Sequence, residues 1–170
     1  MRRSLTLLMA LFSLAGCGEG EGTGQAFIRA SFDGQVWGAE AQEGIVVFGV
    51  GSPDSGGTVW SLARRRAGGG SQFIALNLPM PPAIGTYELN GSGALATYAS
   101  CPNDVSDCIY WSAVVQHPGT LIIDRIDPID GLIEGAFVFN GYALGDPQGP
   151  SKSFTAGRFR IYAPSVFTLE

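Results

Sequence analysis

Three cysteines, one histidine and a set of spaced acids are the side chains from which any chemistry in this 170-residue chain would be built. Cys101 and Cys108 flank Pro102-Asn103-Asp104-Val105-Ser106-Asp107, a polar loop. In an oxidising compartment that pair predicts a local disulfide; a zinc site would need two further soft ligands. The only histidine, His117, precedes Pro118 at an expected strand end, and no Gly-x-Ser-x-Gly elbow accompanies it, so a hydrolase triad has little support and no metal is assigned. Asp124, Asp127 and Asp130 recur every third residue before Gly131, whereas an EF-hand loop alternates its first ligands every second residue. The stretch reads as an acidic turn, with a looser calcium site as the alternative.

What remains suits recognition better than bond making. Trp37, Trp60, Trp111 and Tyr110 are candidate binding residues, able to stack on sugars or line an apolar pocket, although aromatics of a β-domain more often sit in its core. Arg64-Arg65-Arg66, followed by Ala67-Gly68-Gly69-Gly70, reads as a basic hairpin end able to touch an acidic partner. The glycines lack the strand-to-helix context of a phosphate loop, and no cofactor is implied. Asp124 and Glu134 keep a carboxylate-based enzyme as an alternative, because acid pairs need no sequence motif.

The elements that must carry these residues are strands. The chain holds 25 glycines, about twice the usual share of roughly 7%, and few charges, which predicts many tight turns between short strands. Phe27 to Phe32 alternates, Asp33-Gly34 signals a hairpin, and Gln35-Val36-Trp37 begins the return. Further strands are expected at 44–49, 58–62, 72–78, 85–89, 94–100, 109–115, 120–126, 132–140, 154–162 and 166–169, and no stretch sustains a helical period. The prediction is a single all-β domain over residues 26–170, an antiparallel β-sandwich or β-barrel of about ten strands. Either form disposes of open sheet edges, and the pattern does not choose between them.

The first residues predict an address. Arg2 and Arg3, an apolar run from Leu5 to Ala15, and Leu14-Ala15-Gly16-Cys17 follow the order of an export signal, and the run is about half the roughly 20 residues a membrane-spanning helix needs. Leu14-Ala15-Gly16-Cys17 resembles the bacterial lipobox. That resemblance implies a signal peptide over residues 1–16, lipidation of Cys17, and a flexible glycine-rich tether over residues 17–25. Two or three acyl chains would hold the protein to a membrane outside the cytoplasm, and Gly18 resembles the outer-membrane sorting pattern. Without Arg2 and Arg3 there are 10 − 2 = 8 basic residues against 15 acids, a charge near −7, which argues against nucleic acid or anionic headgroups as main partners.

Ala30-Ser31-Phe32-Asp33-Gly34-Gln35-Val36-Trp37, Gly85-Thr86-Tyr87-Glu88-Leu89, Gly119-Thr120-Leu121-Ile122-Ile123 with Gly135-Ala136-Phe137-Val138-Phe139, and Thr155-Ala156-Gly157-Arg158-Phe159 together resemble a family of uncharacterised bacterial lipoproteins with a β-rich domain. The resemblance implies a membrane-anchored antiparallel domain and assigns no activity. Because the sequence is rich in β-fold signals and poor in groups that titrate usefully, the expected function is a non-enzymatic binding or interaction module of the cell envelope, its partner another envelope protein or a small apolar ligand. The alternatives are a calycin-like carrier of an apolar ligand and a carboxylate enzyme.

Overall fold

The computed structural model describes residues 25–40, 45–50, 58–67, 70–91, 93–103, 107–143 and 146–163. The expected signal peptide, Cys17, the tether as far as residue 24 and the expected strand at 166–169 lie outside these residues, as does the side chain of Trp60. Eleven strands and no α-helix occupy the described residues: β1 (Phe27–Phe32), β2 (Gln35–Glu40), β3 (Ile45–Val50), β4 (Thr58–Ala67), β5 (Gly70–Pro79), β6 (Gly85–Leu89), β7 (Leu95–Cys101), β8 (Ile109–Ser112), β9 (Gly119–Asp127), β10 (Leu132–Ala143) and β11 (Ser151–Tyr162). The all-β expectation holds. Strand bounds differ in places: β4 runs on through Arg64, Arg65 and Arg66 because they pair with Phe73, Gln72 and Ser71 of β5, β10 and β11 extend together as far as Tyr142 and Ser151, and β8 stops at Ser112, before a turn closed by a Val114–His117 bridge.

All ladders are antiparallel, and β10 decides the architecture. Its first half, Leu132 to Val138, pairs with β9, whereas Tyr142 and Ala143 pair with Ser112 and Trp111 of β8. One sheet thereby splits into two leaves, β6-β9-β10-β11-β1-β2 and β8-β7-β5-β4-β3. The leaves curl toward each other at both margins. A Leu89–Ala94 bridge joins β6 to the approach to β7, and Arg65 Nη1 donates to the Val36 carbonyl 3.5 Å away. The result is a nearly closed barrel-like sheet, intermediate between the two expected forms.

Alternation along each strand sends one set of side chains inward. Ile28, Trp37, Leu121, Ile133, Phe159 and Ile161 of one leaf and Val59, Ile74, Leu76 and Tyr98 of the other form one buried cluster. Aromatic rings meet across the centre: Phe32 and Phe154 lie 5.1 Å from Tyr98, and Phe139 stacks on Phe154 at 4.4 Å. Each fully buried large apolar side chain contributes roughly 1.5–3 kcal/mol. Ser61, the one buried polar residue among the described residues, satisfies its hydroxyl on the Leu76 carbonyl at 3.2 Å.

Glycine has a use here that turn statistics do not anticipate. Gly135 and Gly157 are buried in mid-strand, and a Cβ on either would overlap the facing carbonyl, Ile122 or Phe137 respectively. It would also press on the Phe159 ring at Gly135 and on the Phe137 ring at Gly157. The missing side chain makes room for a ring from the neighbouring strand, as glycine–aromatic pairing does in curved sheets.

Candidate binding surface

The predicted chemistry does not assemble. Cys101 and Cys108 form a disulfide, with Cα atoms 4.0 Å apart, and Cys108 lies beside Thr97 and Ala99 of β7. His117 is exposed and stacks on Tyr142 at 5.2 Å. Asp127 turns its carboxylate back on the chain, accepting from the Ile129 amide at 3.1 Å and the Asp130 amide at 3.5 Å. Asp124 instead pairs with Arg158 at 3.1 Å, so the three aspartates do not converge. No cluster of three metal-ligating side chains occurs among the described residues. Glu134 is gripped on both oxygens, by Arg125 Nη1 at 3.0 Å and by Arg160 Nε. Both acids of the proposed enzyme alternative are thus held by guanidinium groups.

The four aromatic candidates separate. Trp37 is 1% exposed and belongs to the core, its indole nitrogen without a hydrogen-bond partner among the described residues, so its ring is not presented to a ligand. Trp111 is half-buried, packed 5.5 Å from Tyr98 with the Lys152 ammonium 5.3 Å from its ring. Tyr110, 47% exposed, points outward. It forms one wall of a trough on the outer face of β4-β5-β7-β8.

That trough follows from residue size at outward positions. Ala75, Thr97 and Ala99 make a low floor, and Leu62, Phe73, Leu95 and Tyr110 stand around it, enclosing about 370 Å³ with Cys108 at one side. Register puts them together: Phe73 faces Ala99, Ala99 faces Tyr110, and Leu62 faces Ala75, which faces Thr97. Arg64 lies opposite Phe73 with its guanidinium carbon 5.8 Å from the ring centroid, tied to the Ser71 hydroxyl at 2.9 Å, and exposed Arg66 follows on the same face. The trough is therefore apolar with a cationic rim.

Of the trough residues the sequence singled out Tyr110 as a binding candidate and Cys108 as half of a disulfide, and it marked Arg64 and Arg66 of the rim as able to touch an acidic partner. Phe73 and Ala75 had a legible signal: in Gln72-Phe73-Ile74-Ala75-Leu76-Asn77-Leu78 the odd positions are nearly as apolar as the even ones, which marks a strand with something to cover on both faces. The chain matches no family model, no curated protein and no solved structure.

Proposed function

We propose that this protein is a non-catalytic interaction module of the bacterial cell envelope, tethered through lipid on Cys17 and engaging a protein partner through the outer face of β4-β5-β7-β8. The observation that carries the reading is the trough itself, an apolar depression of about 370 Å³ on the side of the sheet away from the core. A depression of that size takes one or two large apolar side chains, and the Arg64 and Arg66 rim suits a partner whose apolar residue is flanked by an acidic one. The packed aromatic centre favours this over an interior carrier of an apolar ligand, and the guanidinium-bound carboxylates favour it over acid–base catalysis.

The test places a photo-crosslinking residue at position 110 or 62 in the native host, with position 129 on the exposed β9–β10 turn as control. A defined adduct from 110 and 62 but not from 129, diminished by Phe73→Ser, supports the reading. Identical patterns from all three positions refute it. Fractionation of Cys17→Ser tests the tether separately: the variant should leave the membrane fraction.

A further inference from the structure

A second outward surface, on the opposite leaf, has a different chemistry. Seven arginines follow residue 16, and four of them, Arg29, Arg125, Arg158 and Arg160, project from the outer face of β1, β9 and β11. In a chain with 15 acids that concentration is not an average surface. Two cross-strand rows organise it. One runs Glu40, Phe27, Arg160, Glu134, Arg125, alternating charge around an aromatic ring. The other runs Gly38, Arg29, Arg158, Ala136, Ile122.

In the second row two arginines face each other directly, an arrangement that is destabilising when nothing lies between the charges. Asp124 engages one end of Arg158. Arg29 makes no ion pair among the described residues; its guanidinium carbon rests 4.2 Å above the Phe27 ring. The residues flanking the pair, Gly38 and Ala136, are small, and Arg158 lines the groove that follows.

Beyond Ala136 the same row enters an apolar groove of about 320 Å³, lined by Thr120, Ile122, Ala136, Val138, Ala156 and Arg158 among others. Ile122 and Val138 are 40% and 44% exposed on it. Arg158 also lines the adjoining polar depression of about 300 Å³ around Phe27 and Glu134, so charge and apolar bed are continuous. Ala156 adds an independent sign. It sits at φ 49°, in the left-handed region, at a bulge in β11, and holds its methyl on the groove wall at a backbone cost that glycine would avoid.

We infer that this face binds an amphipathic anion, a small molecule with one oxyanion head bridged by Arg29 and Arg158 and an apolar tail laid across Ala136, Ile122 and Val138. Guanidinium forks match carboxylate and phosphate oxygens. The strands beneath are interior to the sheet, with their amides and carbonyls committed to ladders. An extended peptide would gain no main-chain hydrogen bonds there, whereas an alkyl chain asks for none. From β11 to β9 is two strand spacings, about 9.6 Å, the reach of a short acyl chain.

The experiment is titration calorimetry of the full chain carrying Cys17→Ser, so that no attached lipid competes, with monomeric dodecanoate and dodecyl phosphate as probes. Dodecyltrimethylammonium and butyrate supply tail and head alone, and phosphatidylglycerol vesicles test a membrane source. Saturable binding of both anionic probes, with neither control binding comparably, is expected. Arg29→Gln and Arg158→Gln should each weaken it roughly tenfold or more. Ala156→Gly should raise thermal stability yet weaken binding about threefold to fourfold, opposite movements that a purely structural role would not produce. Should a variant fail to fold, amide NMR of the parent chain decides: dodecanoate should shift residues of β9, β10 and β11 and spare β4 and β5. Equal binding of the cationic amphiphile, binding to vesicles alone, or shifts confined to the other leaf would overturn the inference.

Discussion

Replacing Gly135 with alanine adds one methyl group at the point where core, bulge and charged face meet. Gly135 lies opposite Phe159 on β11 and Ile123 on β9, and the register slips between Glu134 and Gly135 so that Asp124 is an extra residue on β9. That bulge turns both Asp124 and Arg125 outward, toward Arg158 and Glu134. A Cβ at 135 would overlap the Ile122 carbonyl and lie 2.8 Å from two atoms of the Phe159 ring. The harder obstacle is backbone, which cannot rotate away. Overpacking costs typically 1–3 kcal/mol, and a backbone contact belongs at the upper end, about 3 kcal/mol. For a domain of this size that lowers Tm by about 6–12 °C. Urea unfolding should show a lower midpoint at unchanged slope. Gly38→Ala is the control, since its new Cβ meets only Arg29 Cβ at 3.5 Å, an ordinary contact; it should be neutral or stabilising by up to about 1 kcal/mol. Adding Phe159→Leu to Gly135→Ala should not restore stability, because it relieves the ring and not the carbonyl. A Gly135→Ala variant within about 0.5 kcal/mol of the parent protein would refute the close-approach argument.

Two further outcomes follow from single features. Reducing the Cys101–Cys108 bond, or replacing both cysteines with serine, should cost roughly 2.5 kcal/mol by loop-closure entropy for so short a loop, read as a shift in the urea midpoint with the fold retained by circular dichroism. Complete unfolding would show that the staple is a requirement of the fold. Tyr98, 2% exposed, has its phenol pushed above the ordinary value near 10 by burial. A hydrogen bond with the Ser100 side chain opposes the shift, the Asp33 carboxylate adds to it, and Arg65 again opposes it. The folded protein therefore keeps this proton to higher pH than the unfolded chain does. Its contribution to stability is complete below about pH 10 and declines as pH rises toward the folded-state value. Tyr98→Phe should flatten that alkaline decline in pH-dependent melting, and an unchanged slope would contradict the assignment.

Strand content was legible from short-range alternation. Phe27 to Phe32, the Asp33-Gly34 turn and Gln35 onward form the expected hairpin, with Asp33 and Gly34 at φ 51° and 73° as such a turn requires. The disulfide was legible because two cysteines in a short polar loop leave few alternatives. Glycine was read as turns throughout, yet Gly135 and Gly157 are packing residues. Nothing local distinguishes a glycine that bends the chain from one that admits a neighbour's ring, since the ring comes from another strand. Trp37 and Tyr110 show the same limit: both are aromatics in or near strands, and one is core while the other is surface.

The sequence by itself determined the strand periodicity, the polar turns, the paired cysteines and the acidic balance, all of which are properties of neighbouring residues. The tertiary structure alone decided that β10 divides its pairing between β9 and β8, and so that the sheet becomes a nearly closed, packed body. It alone set Arg29 against Arg158, which are far apart in the chain, and laid Phe73, Ala99 and Tyr110 in one row. The reason is that ladder register is fixed by burial of the inward side chains. The outward rows are then carried into place by residues that never touch them.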